Sequence, residues 1–406
     1  MERRVVITGL GIWSCLGTNL DEVRQSLYSG KSGIIFSQAR KDAGFRSALC
    51  ADVPKADLKK YLSRDLRKLM PEEAQYGYLA TIQALEHAKL DQDFLDQNEV
   101  GVIYGNDSVA EATMQALDKF RQAGSTAACG SGAIFQSTNS TVTMNLATLL
   151  HLRGINLTAS AACASGSHSV GLGYLLIKDG LQDCIICGGA QEANMFSVAS
   201  FDGLMAFSTR EDEPTKASRP FDRDRDGLIP GGGAATLVLE SYEHAVKRGA
   251  PILAEIVGWG FSGNGDHIST PNVAGPTRSL ELCLKNGGIN PRDIGYINAH
   301  ATSTHAGDGR EALAIANIFG DYRVPVTSTK SQTGHEMWMA GASELIYSIL
   351  MMKNDFIGGS LNFENPDEDT ACINVIPETR EAHFDMFLSN SFGFGGTNSS
   401  LIIKNL

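Results

Sequence analysis

Three short stretches, far apart in a chain of 406 residues, carry side chains that could do chemistry together: Ala162-Cys163-Ala164-Ser165-Gly166, His300-Ala301-Thr302-Ser303-Thr304 and Gly334-His335. Cys163 stands among small residues and offers a thiolate nucleophile. His300 and His335 offer neutral imidazole hydrogen bonds to a carbonyl oxygen. A nucleophilic thiol with two imidazoles is what carbon–carbon bond formation between thioesters requires.

Each group needs an element to aim it. Ile155–Ser160 reads as a strand and Cys163–Lys178 as a helix, which puts Cys163 on a strand-to-helix turn. The helix dipole and free N–H groups there predict a lowered thiol pKa. The same residues also read as a small buried cysteine in a tight turn. Asn298-Ala299-His300 closes a predicted strand, so His300 projects from a strand end, where α/β proteins hold ligands. The hydroxyls of Thr302 and Thr304 on the following turn suit an amide-rich substrate arm. His335 follows Thr333-Gly334 beyond a predicted strand, Val324–Ser328. In Ser389–Asn398, glycines around Phe394 let the backbone approach a ligand, and one N–H there could join that of Cys163 in an oxyanion hole. A glycine-rich hairpin is the plainer reading of that segment.

Other motifs lead away from chemistry. Thr8-Gly9-Leu10-Gly11-Ile12-Trp13-Ser14 begins like a dinucleotide fingerprint, but Ser14 takes the third glycine position, so a nicotinamide cofactor is rejected. Cys184 and Cys187 have CxxC spacing within an apolar run and no second pair, which predicts buried structural thiols and not zinc. His168 lies on the helix that Cys163 opens, turned to another face.

Short β-branched runs alternate with helical periodicity, which predicts an α/β architecture. The strands expected are Val5–Thr8, Val100–Tyr104, Ile155–Ser160, Asp183–Gly188, Ala235–Glu240, Ile252–Trp259, Ile294–Ala299, Val324–Ser328, Ile373–Ile376, Met386–Ser389 and Ser400–Lys404. The helices expected are Leu66–Lys89, Ala110–Gln122, Ser165–Lys178, Pro276–Asn286, Asp308–Ile318 and Ala342–Met352. Runs apolar on both faces imply a sheet covered on each side. The charged stretch over residues 208–233 reads by itself as a solvated loop or a lid. The two halves expected are residues 1–250, with the cysteine, and 251–406, with both histidines and the glycine-rich loop. Both place a small-residue or histidine motif directly after a strand, which suggests a distant duplication.

With 43% hydrophobic and 20% charged residues the composition is that of a globular enzyme, and a net charge of −12 argues against non-specific nucleic-acid binding. No run reaches the roughly 18 apolar residues of a membrane span. The start, Met1-Glu2-Arg3-Arg4-Val5-Val6-Ile7, reaches Gly9 too soon for a signal peptide, so a cytoplasmic protein with reduced cysteines is expected.

These residues together resemble the elongating β-ketoacyl-acyl-carrier-protein synthases, the condensing enzymes of fatty-acid and polyketide synthesis. The likeness runs through Val6-Ile7-Thr8-Gly9-Leu10-Gly11, Ser160–Ser165, Gly188-Gly189-Ala190-Gln191-Glu192, Arg219-Pro220-Phe221-Asp222, Arg225-Asp226-Gly227, Asn298-Ala299-His300, Thr329-Lys330, Thr333-Gly334-His335 and Asn390–Asn398. It implies an α/β thiolase-type fold, two similar mixed-sheet halves in α-β-α-β-α layers, usually as a homodimer. It implies acylation of Cys163 by an acyl-carrier-protein thioester, then malonyl-carrier protein held by His300 and His335. Phosphopantetheine comes with the substrates, and no cofactor of the enzyme's own is implied. By the same resemblance Lys330 is the active-site lysine, and Asp308 and Glu311 hold its surroundings. Phe394 supplies an oxyanion N–H and a gate, while Thr302, Thr304 and Phe392 bind substrate. Asn298, Glu344, Ser389 and Asn390 match a structural monovalent-cation site. Arg64, Arg67, Lys68, Lys119 and Arg121 fall where an acidic carrier protein docks, with Asp65 interrupting the first cluster.

Three departures bear on the substrate. Ala301 replaces a glycine, Glu336-Met337-Trp338-Met339 replaces small residues after the second histidine, and Asn106-Asp107-Ser108 replaces a glycine- or apolar-rich stretch near the acyl pocket. A specialised polyene or polyketide pathway is therefore the alternative to fatty-acid elongation. A chain-length partner subunit would lack Cys163, and a degradative thiolase would carry a second cysteine within Ser389–Asn398, which has none.

Overall fold

The computed structural model describes residues 3–406; Met1 and Glu2, part of the N-terminal run read above, lie outside them. Eleven strands form one sheet. They are β1 (Val5–Trp13), β2 (Val100–Gly105), β3 (Asn156–Ala159), β4 (Cys184–Gln191), β5 (Gly233–Ser241), β6 (Ala254–Gly263), β7 (Tyr296–Asn298), β8 (Pro325–Thr327), β9 (Asn374–Val375), β10 (Met386–Gly393) and β11 (Thr397–Asn405). Each overlaps one strand expected from sequence. Their spatial order is β9-β8-β7-β10-β11-β6-β1-β5-β4-β2-β3.

That order contains one pattern twice. β3-β2-β4-β5-β1 and β8-β7-β10-β11-β6 follow the same path, with parallel pairs at the outer end and antiparallel pairs toward the middle. β1 and β6 join the two antiparallel through Val5–Ile256, Val6–Glu255 and Ile7–Ala254.

Helices fill three layers. α1 (Glu72–Ala88) covers the outer face of β1 and β5. Gly9 and Gly11 serve this contact: a Cβ at either would sit 2.2 Å from the Ala84 carbonyl oxygen or 1.9 Å from that of Ala80. The dinucleotide-like motif is thus explained by helix–strand packing. α2 (Glu111–Ala123) and α3 (Thr141–Leu149) follow. α4 (Ser165–Lys178) meets α7 (Ala340–Lys353) in the central layer, where Val170, Tyr174, Ile177, Leu345, Ile346 and Ile349 join the largest core. α5 (Ala274–Gly287) covers β6 and β11, and α6 (His305–Phe319) packs on α5.

Two expectations are corrected. The predicted helix Leu66–Lys89 is a turn over Arg64–Arg67 followed by α1, because Pro71 is extended (φ −69°, ψ 174°) and disfavours helix at the residue before it. Residues 208–233 are a solvated loop only in part: 209–216 stay exposed or half-buried, whereas Arg219, Phe221, Asp222 and Arg225 are buried, and each of these charges is paired. Cys184 and Cys187 are free thiols buried in β4. Among the described residues, no helix is long and apolar enough to cross a membrane.

Candidate active site

The turn between β3 and α4 holds Cys163 through Ser165, whose Oγ accepts from the Ala161 N–H (2.8 Å) and donates to the Ala162 carbonyl (2.7 Å). Ala162 carries φ +46°, a strained conformation for a residue with a Cβ. Cys163 is 6% exposed and packs with Val198, Phe207, Leu228, Met337 and Trp338. Burial pushes its thiol up to about 12, although the Lys330 ammonium and the Phe394 N–H act in the other direction. The lowered pKa expected at a helix start is thus corrected: desolvation of the sulfur outweighs the groups that favour a thiolate.

His300 leaves the end of β7 with its backbone clamped by Glu311 of α6. One carboxylate oxygen accepts the His300 N–H at 2.9 Å and the other the Ala301 N–H at 2.7 Å. Asn390 donates to the same carboxylate at 3.0 Å. Ala301 does not have positive φ, so its methyl costs nothing there; Ser303 and Met337 take that conformation instead, at +72° and +48°. His335 is tied to the segment leading into β5, donating its N–H to the Ile229 carbonyl and accepting the Gly231 N–H, both at 2.7 Å.

The two imidazoles meet edge to face, centroids 5.3 Å apart. One ligand-type atom from each of Cys163, His300 and His335 lies within 4.8 Å of the others. The set could pass for a metal triad, but the Met337 N–H donates to His335 Nδ1 (3.3 Å). That leaves the ring proton on Nε2, a buried atom with no protein partner. Burial and the Lys330 charge hold both rings well below the ordinary histidine range, so both are neutral. Two neutral rings and a thiol offer polarisation of a carbonyl and a nucleophile.

Lys330 is buried and ion-paired with Glu344. Burial pushes Glu344 up against the pull of the Lys330 charge, and raises Glu311 and Glu336 to about 7 and Asp308 to about 6. Asp308 accepts the N–H groups of Ser303 (3.1 Å), Thr304 (3.3 Å) and Phe221 (2.8 Å).

A cavity of about 320 Å³ reaches Cys163, His300 and His335, and Thr302, Thr304, Phe392 and Phe394 line it. Phe394 is 38% exposed and stacks on Phe201 (6.0 Å, 18°). It sits where β10 turns into β11, so the segment is the hairpin expected, and the same turn lines the cavity. Arg64, Lys68, Lys119 and Arg121 are exposed and Arg67 half-buried; none of the five lines the cavity. Lys68 pairs with Asp65 (3.0 Å) and Arg121 with Asp118 (3.7 Å). Of the cation quartet, Glu344 Oε2 and Ser389 Oγ are buried oxygens without a hydrogen-bond partner. Asn298 donates to the Glu344 carbonyl at 3.4 Å, while the Asn390 side chain is committed to Glu311 and Ser400.

Sequence reasoning missed the brace behind this site. Arg225 donates to the carbonyls of Thr304 (3.1 Å) and His305 (3.0 Å) and pairs with Asp367 (2.6 Å). The Arg219 N–H donates to Ser303 Oγ (3.0 Å), and Ser218 Oγ to the Lys330 carbonyl (2.7 Å). The run of alternating charges at 222–226 was the available signal, but it also describes a solvated loop. Glu336 was seen only as a bulky departure; it accepts from Tyr347 (2.8 Å) and Ser343 of α7.

A duplicated, layered α/β scaffold with a thiol and two imidazoles at its centre defines a thiolase-type condensing enzyme. A family model described as beta-ketoacyl synthase, N-terminal domain, matches residues 2–245, and its C-terminal-domain counterpart matches residues 253–364. The chain is 40% identical over 405 residues to 3-oxoacyl-[acyl-carrier-protein] synthase 1 of Haemophilus influenzae, covering 99% of each. It superposes on a beta-ketoacyl synthase from Burkholderia phymatum with TM-score 0.96 and 37% identity, covering 100% of both chains. A ketosynthase solved in complex with its type II acyl-carrier protein, bound to the hexaketide, gives 0.90 and 27%, again over 100% of both. The chain belongs to the β-ketoacyl synthase family. It is a condensing acyltransferase.

Proposed function

We propose that this chain elongates fatty acyl groups by two carbons, condensing malonyl-acyl-carrier protein with an acyl group held on Cys163. The observation that carries the reading is the convergence of Cys163, His300 and His335, with His335 Nε2–H unpartnered. The Cys163 sulfur attacks the acyl thioester, and its proton leaves on the carrier's thiol. The N–H groups of Cys163 and Phe394 receive the oxyanion, in keeping with the Phe394 N–H facing the sulfur. Malonyl thioester then enters along Thr302, Thr304 and Phe392. His300 and His335 donate to its carbonyl oxygen, the enolate forms as carbon dioxide departs, and its carbon attacks the acyl–Cys163 carbonyl. Cys163 leaves as a thiolate that takes up a proton from water, giving a β-ketoacyl thioester on the carrier. Lys330 supplies positive charge beside the rings, keeping them neutral, and Asp308 and Glu311 fix the His300 loop.

The remaining assignments belong to the same reading. Carrier protein brings the phosphopantetheine arm and docks on Arg64, Arg67, Lys68, Lys119 and Arg121. The chain divides into halves at 250/251, the duplicated strand path supporting that division. It works in the cytoplasm as a homodimer, for which the open sheet edge at β3, with Leu157 exposed, offers a pairing surface. A monovalent cation fits the unpartnered oxygens of Glu344 and Ser389 beside Asn298 and would supply the partner those buried oxygens lack.

Intact-mass analysis tests the reaction. Acyl-carrier protein should add one acyl group to Cys163, and malonyl-carrier protein should then release a product two carbons longer. A panel of donors that leaves Cys163 unmodified sinks the proposal.

A further inference from the structure

Two of the departures seen in the sequence are joined in space. The indole N–H of Trp338 donates to Ser108 Oγ (3.3 Å), so the bulky residue after the second histidine is pinned by the altered stretch 106–108. The indole is 7% exposed and shares an apolar cluster with Cys163, Val198, Phe207, Leu228 and Met337. Its backbone is fixed as well: a Cβ at Gly166 or Gly189 would lie 2.9 or 2.6 Å from the Trp338 carbonyl oxygen. Phe201 faces it at 6.3 Å (50°), and stacks nearly parallel with Phe207 (6.3 Å, 6°) and Phe394 (6.0 Å, 18°).

Phe201 and Phe394 line the cavity that reaches Cys163, and Trp338 packs against Phe201 in the apolar cluster that holds the sulfur. Ring faces favour a second π-system through offset stacking. A saturated chain brings no π-electrons and loses several rotors when confined, whereas a conjugated chain is already flat and stiff. We infer that Trp338, held by Ser108, makes this enzyme selective for planar, conjugated acyl groups, polyenoyl or aryl-substituted, over saturated chains of the same length. This deepens the proposed condensation and rests on it.

The test is a competition between hexanoyl- and 2,4-hexadienoyl-carrier protein for Cys163, read as the ratio of the two acyl-enzymes by intact mass. Conjugation itself lowers thioester reactivity, so the decisive quantity is the change in that ratio between wild type and variants. Trp338→Leu should lower the dienoyl-to-hexanoyl ratio about fivefold, the scale of one aromatic contact. Ser108→Ala, which only frees the indole, should lower it by about half as much. Trp338→Phe, which keeps a ring, should lower it less than Trp338→Leu. Ratios unchanged in all three overturn the inference. Should circular dichroism show Trp338→Leu unfolded, Ser108→Ala and Trp338→Phe decide in the same way. If neither donor, nor any other acyl donor, loads the wild type, the condensation reading itself has failed, and this inference falls with it.

Discussion

The Met337 N–H donates to Nδ1 of His335 across two residues of one turn, at 3.3 Å, from a backbone held at φ +48°. This bond decides which nitrogen carries the proton, and hence whether His335 donates to a substrate carbonyl or accepts from the thiol. Nitrogen-15 spectra of the labelled enzyme should show His335 as the Nε2–H tautomer, still neutral at about pH 6, where an ordinary histidine is largely charged. Finding the proton on Nδ1 would remove the donor from the mechanism.

Cys163→Ala should abolish condensation while malonyl decarboxylation persists, because His300 and His335 are untouched. Product analysis by mass spectrometry separates the two. Condensation surviving the change would refute Cys163 as the nucleophile.

Burial keeps Cys163 protonated in the free enzyme, with its thiol up to about 12. Its alkylation by iodoacetamide, followed peptide by peptide, should climb with pH and show no plateau below about pH 10. A plateau near neutrality would mean that the turn stabilises a thiolate after all.

Glu336 is raised from 4.5 to about 7, burial outweighing its bonds to Ser343 and Tyr347. A carboxyl with a raised folded pKa binds its proton more tightly in the native state, so its contribution to stability is full below about pH 4.5 and is lost as pH rises to about 7. Glu336→Gln lacks this loss. Its melting temperature relative to wild type should therefore rise from pH 5 to pH 8, by the equivalent of up to about 3 kcal/mol. A pH-independent difference would show that Glu336 is not titrating in this window.

Asp308→Ala leaves three backbone N–H groups without their acceptor, those of Ser303, Thr304 and Phe221. We expect about 3 kcal/mol of lost stability in urea melts, and a raised KM for carrier-borne thioesters as the Thr302–Thr304 turn loosens. An unchanged KM in the folded variant would detach Asp308 from substrate positioning.

The main strands were legible because buried β-branched runs mark a covered sheet whatever its topology; Val100–Tyr104 and Asp183–Gly188 were found within three residues of β2 and β4. The short pairs Ile34–Phe36 with Leu49–Ala51 and Phe356–Ile357 with Arg380–Glu381 were not, being too brief for a period to show. Residues 222–226 misled because alternating charges look solvated until Asp367, Thr304 and Asp222 are seen to satisfy Arg225.

By itself the sequence determined the chemical groups and the elements that carry them: a cysteine on a strand-to-helix turn, a histidine at a strand end, and a glycine-rich loop near the C-terminus. These depend on local periodicity and on residue type. Tertiary structure alone decided their working states. The Cys163 pKa follows from desolvation by Phe207, Leu228 and Trp338, and the His335 tautomer from where the Met337 N–H points. The bond between Trp338 and Ser108 likewise exists only because two segments 230 residues apart in the chain meet there. Burial and hydrogen-bond direction are set by residues distant in the chain, so no local pattern carries them.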